Sequence, residues 1–574
     1  MTLSRRLFAF LSVAAVLAAA GGLSLDLRVG PARGPDVVLA AEACTDILVG
    51  REASTDGSVM STHAADCGVC DFTWHHVPPA DHKPGAARKL YRIEQLRTWP
   101  PSEGGKWEMV LKDFTGVEIP QVRHTYGYHH SIFGYMNDQQ LAIAESTIGN
   151  VRKLTNNTPT PVLNISMLTL LAMERCRTAR EAIRLMGSLA EKHGYGESMG
   201  GEMLAVSDPK EIWIFEIMPV GPLWTPESGK PGAVWCAQRV PDDHVSVCPN
   251  ESRIGEIDLG NGDFFMASDH VVTFAVEAGL YDPKGGKPFS WKRAYSPSEG
   301  SAASTEGRRS RMWRFFDLVA PSRDFKPETP NMDFPFSVKP DRKLSPKDVM
   351  EMTRDKSEGT VFDPVKGIRG GPFKNPNYYR GTRLISVPNV EYTTLTQCRS
   401  WLPDPVGGIV WVALGAQDTS CYVPFYAGAT EIPKSFGIGD HYVLDRSSAR
   451  WAFDYVDFHV QVAYSAAIED VKTARKTWED GAFERIAEVD ARAAELYKKS
   501  PREAVRHVTG FGLNNATNVV NAWWKLGDDL WVKYNHLGAY DAAKRRSGRI
   551  PNASPEWWNK AVRAIDVLTE PAAK

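Results

Sequence analysis

At residues 44–58 the chain reads CTDILVGREASTDGS, a cysteine followed by a strand-like run and a polar turn. The run ends at Gly50, and Asp56-Gly57 is a dipeptide that favours a tight turn. We therefore predict a strand, a turn and a returning strand. Such a hairpin would bring residues 58–66 back beside Cys44.

Cys44 would combine two reactive groups if the chain were cut just before it. Its thiol and its freed α-amine would then belong to one residue, and the amine could accept the thiol proton. Ordinary pKa values are about 8.5 for a thiol and roughly 7.7–8.0 for an α-amine, close enough for transfer near neutral pH. Because the thiolate is the nucleophilic form, the sequence predicts a cysteine nucleophile at this position.

Residues 1–43 are typical of an export signal followed by a propeptide. Arg5 and Arg6 precede an apolar run at 7–20, and small residues follow it. The stretch SRRLF at 4–8 resembles a twin-arginine signal, so we expect a periplasmic or extracellular protein. Two routes to a free Cys44 stay open: cleavage near Ala20 with later loss of the propeptide, or one cut after AEA at 41–43. An uncleaved membrane anchor is the alternative, although the run is short for a span of about 20 residues.

The composition argues against a nucleic-acid or membrane partner. The chain has 574 residues, 43% of them hydrophobic, and a formal net charge of −2. This length is ample for a large core and for more than one subdomain, while so small a net charge would not attract nucleic acid or an anionic membrane. No later segment is long and apolar enough to span a bilayer. We therefore predict no stable membrane span after processing.

Eight cysteines are too few for a disulfide scaffold in a chain of this length. Cys67 and Cys70 form a C-x-x-C motif, which half a zinc site or a redox pair would use. A second such motif is absent, and the nearby histidines lack a standard ligand spacing. A disulfide, or two separate thiols, suits an exported protein better, and the sequence leaves that choice open.

Hydrophobic periodicity and composition divide the chain into three predicted regions: the signal and propeptide at 1–43, a catalytic domain at 44–430 and a helical C-terminal region at 431–574. Strands are predicted at 47–49, 57–62, 141–144, 203–206, 211–217 and 409–414. Helices are predicted at 163–189, with a start signal at 178–181, and at 308–319, 450–464, 466–499, 501–508 and 517–534.

Several charged or polar residues are candidates for the site, each with a structural alternative. Asp66 could hold the α-amine by a charge-assisted hydrogen bond, and His63 could stabilise charge or position the group; both could also be ordinary polar residues at a strand end. Glu145 ends an apolar run, where it could meet a peptide α-amine or form a buried salt bridge. Arg51 and Arg253 could bind a substrate carboxylate or tie loops to surface acids.

The stretch 44–58 resembles the start of the family C69 dipeptidases. These are N-terminal-nucleophile cysteine hydrolases, related to secernins and more distantly to bile salt hydrolases and penicillin V acylase. The resemblance continues through AESTIG at 144–149, DPKEIWIFE at 208–216, NESRI at 250–254, SRMWR at 310–314 and VPFY at 423–426.

The resemblance implies an α+β fold, a four-layer αββα sandwich with two stacked sheets between helical layers, to which this chain adds its helical C-terminal region. It implies amide hydrolysis with no metal and no organic cofactor. Cys44 corresponds to the nucleophile and, through its amine, to the general base, and Asp66 to the acid that orients this amine. The relatives carry Arg or Lys three residues before that acid, where this chain has His63, so the charge at that position depends on pH.

Three more site residues are implied by the resemblance. Asn250 matches one of two asparagines that help to bind substrate and oxyanion in the acylase-like relatives. The second position holds Thr147, whose hydroxyl could still donate. Arg311 corresponds to the relatives' late active-site arginine, which stabilises the surroundings of the thiol.

We predict an exported cysteine dipeptidase that cleaves dipeptide amide bonds through a thioester on an N-terminal Cys44. Its partner is a small peptide substrate, and homo-oligomerisation stays open. One rival is an acylase on the same fold that acts on N-acyl amides, conjugated amino acids or β-lactams. The other is a non-catalytic binding protein anchored by a lipid on Cys44, against which Glu42 and the missing leucine three residues before the cysteine argue.

Overall fold

The computed structural model describes residues 44–68, 70–91, 114–155, 163–197, 200–221, 224–297, 302–379 and 381–569. These residues all belong to one compact unit. The predicted signal and propeptide at 1–43 lie outside the described residues. Within the described part, no helix combines the length and the apolar character that a bilayer crossing requires.

The strands follow one another along the chain as β1 (Asp46–Val49), β2 (Val59–Ala64), β3 (His75–Val77), β4 (Ala80–Asp81), β5 (Ala87–Tyr91), β6 (Phe114–Pro120), β7 (His124–Thr125), β8 (Tyr128–His130), β9 (Tyr135–Asn137), β10 (Ala142–Ile148), β11 (Gly201–Ser207), β12 (Ile212–Met218), β13 (Val234–Val240), β14 (Val245–Cys248), β15 (Phe265–Ala267), β16 (Tyr392–Cys398), β17 (Ile409–Leu414), β18 (Val423–Tyr426), β19 (Ala539–Asp541) and β20 (Arg546–Gly548). The α-helices are α1 (Ile165–Arg175), α2 (Ala179–His193), α3 (Val271–Glu277), α4 (Trp291–Tyr295), α5 (Ala302–Val319), α6 (Pro346–Thr353), α7 (Asp404–Gly407), α8 (Ala449–Val462), α9 (Tyr464–Lys499), α10 (Pro501–Tyr534) and α11 (Pro555–Thr569).

The predicted hairpin at Cys44 is confirmed as the antiparallel pair of β1 and β2. Leu48 lies opposite Ser61, and Val49 lies opposite Met60. In the turn, Gly57 has a φ of 85°, a left-handed conformation that glycine adopts without the steric cost of a Cβ atom. Continued towards the start of β1, this register brings the residues just after β2 to the level of Cys44.

Two antiparallel sheets form the centre of the fold. One has six strands in the order β14-β1-β2-β16-β17-β18, and the other has eight in the order β15-β13-β12-β11-β10-β9-β8-β3. All six predicted strands are present, each within a few residues of its expected bounds. The nucleophile candidate therefore lies just before β1, the second strand from one edge of the six-stranded sheet.

Three hydrophobic cores give the order of the layers. One core joins β11 and β12 of the eight-stranded sheet to α1 and α2, as in the packing of Leu204 with Ile183. A second core, which includes Leu48 and Met203, lies between the two sheets. A third joins the outer face of the six-stranded sheet to α5 and α9. Because side chains alternate across a strand, each sheet packs against a helical layer and against the other sheet, which confirms the expected αββα sandwich.

The helical prediction at 163–189 needs a correction, because two helices occupy this segment. Helix α1 ends at Arg175, and the backbone of the next residue, Cys176, is extended. Helix α2 begins after Thr178, which shares a capping box with Glu181, so the start signal at 178–181 is confirmed. A capped start inside a periodic segment marks a new helix, and it outweighs the continuous apolar pattern.

The C-terminal helices differ from the prediction in two places: α10 joins two of the predicted helices, and α11 was not predicted. The expected break between 508 and 517 is wrong, because α10 runs without interruption from Pro501 to Tyr534. Gly512 lies inside this helix, where an added Cβ would come to 3.4 Å from Phe425 of β18. That distance is an ordinary van der Waals contact, so Gly512 packs against the sheet and does not end the helix, and this contact is not visible in the sequence.

Cys67 and Cys70 are joined by a disulfide, which answers the question that the sequence left open for the C-x-x-C motif. The other cysteines of the described residues, Cys44 among them, are free and buried.

Candidate active site

Cys44 is buried just before β1, with 7% of its surface exposed. Its thiol donates to the Oε2 atom of Glu145, with a sulfur–oxygen distance of 3.7 Å. Burial, followed by the negative charges of Glu145, Asp66 and Asp46, raises the pKa of this thiol well above its ordinary value. A buried thiol that is next to carboxylates is held in its protonated form, so a base or a nearby cation is needed to activate it.

Asp66 follows β2 and reaches Cys44 through the hairpin register. A main-chain hydrogen bond of Asp66 lowers the pKa of the Cys44 thiol. Its Oδ2 atom accepts a hydrogen bond from the Arg383 guanidinium, whereas its buried Oδ1 atom has no hydrogen-bond partner among the described residues. Burial raises the pKa of Asp66 to about 6, although the charges of Arg383 and Arg311 oppose the shift. Asp66 is therefore an anion at neutral pH with one oxygen available.

His63 lies on β2 and is completely buried. Its Nδ1 atom is 3.0 Å from the main-chain oxygen of Glu145 and 3.4 Å from Oδ1 of Asp46. Burial lowers the pKa of His63 to about 3, so the imidazole is neutral at physiological pH. Of the two roles considered for His63, the geometry favours positioning over charge stabilisation.

Glu145 and Thr147 lie two residues apart on β10 and therefore on the same face of the strand. The Thr147 hydroxyl donates to Oε1 of Glu145 at 3.0 Å. Thr147 is also opposite Glu202 of β11, whose side chain hydrogen-bonds to Glu145. Burial raises the pKa of Glu145, and two adjacent carboxyls of this kind can share a proton.

Arg311 and Asn250 connect the two sheets around Cys44. Arg311, on α5, donates through Nη1 to the Cys44 carbonyl oxygen at 2.8 Å, to Thr45 Oγ1 at 2.8 Å and to Asn250 Oδ1 at 3.0 Å. The Asn250 side-chain amide donates in turn to the Thr147 carbonyl oxygen at 2.8 Å. Asn250 has a φ of 60°, a left-handed conformation that asparagine tolerates better than most residues. The nucleophile's own carbonyl is thus fixed by a buried cation.

The structure brings together all seven residues that the sequence singled out for the site. They form one network of hydrogen bonds and close contacts: Cys44, His63, Asp66, Glu145, Thr147, Asn250 and Arg311. Arg51 and Arg253 have other contacts. The guanidinium of Arg51 pairs with Asp242, and that of the buried Arg253 donates to the Pro335 carbonyl.

Sequence reasoning missed three residues of this network. Asp46 and Glu202 each place a carboxylate in an otherwise apolar, buried strand, and this exception to the pattern could have identified them. Arg383 lies outside regular structure and more than 300 positions after Asp66. No local signal marks Arg383, because its role depends on tertiary contact.

Comparison with known proteins identifies a family. The family model described as Peptidase family C69 matches residues 43–477. A probable dipeptidase of Salmonella dublin is 28% identical over 389 residues, covering 67% of this chain and 81% of that protein. A probable dipeptidase of Latilactobacillus sakei is 24% identical over 453 residues, covering 74% and 85%.

Among solved structures, penicillin V acylase from Agrobacterium tumefaciens matches with a TM-score of 0.28 and 11% identity, covering 67% of this chain and 86% of that chain. This score is too low to establish a common fold, so our description of the fold rests on the layers and sheet orders given above.

Proposed function

The chain belongs to peptidase family C69, and we propose that it is an exported dipeptidase whose nucleophile is the thiol of an N-terminal Cys44. The family match over residues 43–477 begins one residue before this cysteine. Relatives that carry the name probable dipeptidase support the reaction. Arg5, Arg6 and the apolar run at 7–20 support export.

The observation that carries this proposal is the unpartnered oxygen of Asp66. Oδ1 is buried without a hydrogen-bond partner among the described residues, although Asp66 is beside Cys44. A buried carboxylate oxygen without a partner is costly. The α-ammonium that cleavage before Cys44 would create supplies the missing donor and a compensating charge. It would also lower the pKa of the thiol, because an adjacent cation favours the thiolate.

The reaction then follows from groups on one residue. The α-amine of Cys44 takes the thiol proton, and the thiolate attacks the scissile carbonyl carbon. The ammonium gives this proton to the leaving amine, and a thioester to Cys44 remains. Water, deprotonated by the same amine, attacks the thioester and releases the acid product. Asp66 holds the amine throughout, while Arg311 fixes the Cys44 main chain.

Asn250 is our choice for the oxyanion donor. Its amide group carries two N–H bonds, of which one donates to the Thr147 carbonyl, and its orientation is fixed by Arg311. The other N–H can donate to the oxygen that becomes negative in the tetrahedral intermediate. A donor of this kind contributes about 3 kcal/mol to transition-state stabilisation.

Glu145 and Glu202 favour a dipeptide over an N-acyl substrate. Glu145 Oε2 is 3.7 Å from the nucleophilic sulfur, and the α-nitrogen of a peptide is only ~2.5 Å from its first carbonyl carbon. An α-ammonium bound to Glu145 would therefore hold that carbonyl within reach of the sulfur. An acyl chain has no positive charge to offer these two buried carboxyls, so it gains nothing from them.

The test is to purify the protein as exported, sequence its N-terminus and measure hydrolysis of a dipeptide panel and matched N-acyl amino acids. We expect the sequence to begin at Cys44 and the dipeptides to be cleaved faster. Active protein that begins at another residue would overturn the mechanism, and faster cleavage of the N-acyl amino acids would overturn the substrate assignment. Cys236→Ser, which removes another buried thiol, serves as the control and should retain activity.

A further inference from the structure

A thiol, an imidazole and a carboxyl converge at the start of β1. One ligand atom each from Cys44, His63 and Glu145 lie within 4.8 Å of one another. All three residues are buried: His63 has no exposed surface, and only 2% of the surface of Glu145 is exposed. Sulfur, imidazole nitrogen and carboxylate oxygen are the three donor types that zinc accepts, and here they come from three different strand regions.

The sulfur–oxygen spacing agrees with one edge of a tetrahedral site. Zinc lies about 2.3 Å from sulfur and about 2.0–2.2 Å from carboxylate oxygen, so a tetrahedral edge between these two ligands measures ~3.5 Å. The distance between Cys44 Sγ and Glu145 Oε2 is 3.7 Å. A movement of a few tenths of an ångström would bring these two ligands to that separation.

His63 has the environment of a metal-binding histidine. Its Nδ1 atom contacts the Glu145 carbonyl at 3.0 Å and Asp46 at 3.4 Å, whereas the buried Nε2 atom has no hydrogen-bond partner among the described residues. A longer contact of 3.4 Å joins Nδ1 to the Glu145 main-chain N–H. The shorter contact with the carbonyl oxygen favours the tautomer that carries its proton on Nδ1, which leaves the Nε2 lone pair free.

We propose that the mature site binds a thiophilic divalent cation of the Zn²⁺ type through Cys44, His63 and Glu145, and that this cation reversibly inhibits hydrolysis. The inference rests on the proposed function, because the free α-amine of Cys44 adds a fourth ligand and closes a five-membered ring with its sulfur. On binding, the thiol and the α-ammonium of Cys44 each lose a proton to solvent, and a sulfur–zinc and a nitrogen–zinc bond form. The metal-bound sulfur and amine can then act neither as nucleophile nor as base.

The surrounding charges favour such a cation. Asp46, Asp66 and Glu202 add carboxyl groups around the three ligands, against the guanidinium groups of Arg311 and Arg383. Because the thiol and the α-ammonium of Cys44 must lose protons to bind the metal, binding should release protons.

The experiment uses mature protein treated with EDTA and then freed of it. Zn²⁺ binding is measured by calorimetry, and Co²⁺ is added separately to detect a thiolate-to-cobalt absorption band. Variants Cys44→Ser and His63→Gln remove ligands, while Cys236→Ser and His193→Gln remove a buried thiol and an imidazole that do not belong to the group. Circular dichroism checks the fold of each variant.

We expect one Zn²⁺ per chain, loss of dipeptide hydrolysis in proportion to occupancy, and recovery with EDTA. Each ligand variant should weaken binding by at least about tenfold, since even residues that merely orient a ligand contribute 10- to 100-fold, and the two controls should bind normally. If His63→Gln does not fold, the cobalt spectra decide: the thiolate band must appear in the wild type and be absent from Cys44→Ser.

Three results would overturn the proposal: Zn²⁺ affinity in the wild type no greater than in Cys44→Ser, no thiolate band with Co²⁺, or activation by Zn²⁺. Failure here is distinct from failure of the proposed function. A protein that hydrolyses dipeptides without binding Zn²⁺ lacks only this site. A protein that begins at Cys44 and binds Zn²⁺ but hydrolyses no dipeptide keeps the site and loses the enzyme assignment.

Discussion

Two groups of acids lie next to Cys44, and their surroundings differ. In the Asp66 group (Asp66, Arg311 and Arg383), the carboxylate is held by a guanidinium and feels the charge of a second one. In the Glu145 group (Glu145, Thr147 and Glu202), the carboxyl contacts a thiol, a hydroxyl and another carboxyl. Burial raises the pKa of both acids, but the arginines oppose the shift at Asp66.

The difference assigns separate tasks to the two groups. Asp66 remains ionised near neutral pH because its charge is balanced, so it can hold the α-ammonium that we propose at Cys44. Glu145 is held by a hydroxyl and another carboxyl, those of Thr147 and Glu202, so it would gain from an incoming cation. The Asp66 group therefore prepares the nucleophile, and the Glu145 group receives the positive end of the substrate.

The largest expected effect comes from removing the atom that both groups surround. Cys44→Ala should reduce kcat/KM by at least about 10⁴-fold, because no other group of the site can form the thioester. Stability should change by only about 1 kcal/mol, since one small side chain is truncated. Kinetics and thermal unfolding of protein that starts at residue 44 provide the measurement. Retained activity would show that Cys44 is not the nucleophile and that neither acid group acts on it.

Blocking the α-amine tests the task of the Asp66 group. One extra residue before Cys44 converts the amine to an amide, which cannot accept a proton or pair with Asp66 as an ammonium. We expect a loss of about 10²- to 10⁴-fold in kcat/KM, the usual contribution of a general base. Intact mass confirms the extension, and a protease that removes it should restore activity. Full activity of the extended protein would contradict the assignment.

Arg383→Gln removes the guanidinium that donates to Asp66. The surroundings of Asp66 should then be more like those of Glu145. Loss of the guanidinium disfavours the carboxylate form, so the pKa of Asp66 rises above about 6 and the acid limb of kcat/KM moves to higher pH by roughly one unit. Activity should therefore fall about fivefold near pH 6, approach a tenfold loss near pH 5, and change little near pH 8.

Arg383→Lys should keep the limb near its original position, because the charge is retained. Arg51→Gln, which removes a half-exposed guanidinium paired with Asp242, is the control and should leave the profile unchanged. An Arg383→Gln profile that is lowered equally at every pH would indicate a purely structural role.

Glu145→Gln tests substrate recognition by the Glu145 group. Loss of a charge-assisted hydrogen bond to the substrate ammonium should raise KM for dipeptides by about tenfold or more, with a smaller change in kcat. N-acetylated dipeptides, compared as substrates or inhibitors, lack the ammonium and should be unaffected. An equal loss for both classes would place the substrate amine elsewhere.

The smallest expected effect is that of Glu145→Gln on the stability of the folded protein. The pKa of Glu145 is raised by burial in the folded protein, so the folded state binds its proton more tightly than the unfolded chain. The contribution of this group to stability is then lost as pH rises above its ordinary value of 4.5. Glu145→Gln should raise Tm relative to wild type, and by more at pH 8 than at pH 5. A difference that shrinks with rising pH would contradict the direction of the shift.

Local sequence patterns predicted much of the fold. The hairpin of β1 and β2, the six predicted strands and the capped start of α2 were visible because turns, alternation and caps act over a few residues. The break expected inside α10 was wrong because the packing of Gly512 against Phe425 is a long-range contact.

The site divides in the same way. Cys44, His63 and Asp66 follow from the hairpin itself, and Glu145 from its place at the end of an apolar run. Thr147, Asn250 and Arg311 follow from a family resemblance. Glu202, Asp46 and Arg383 joined them once the sheets were packed. The sequence shows that these three residues are charged, but it does not show which residues they contact in the folded protein.

The sequence by itself therefore determined which chemical groups the chain can offer and which short segments are extended or helical. Tertiary structure alone decided which acid is balanced by a cation and which is left facing another acid. The reason is physical: backbone propensities act between neighbours in the chain, whereas charge and desolvation act between neighbours in space, as with Asp66 and Arg383, which are 317 positions apart.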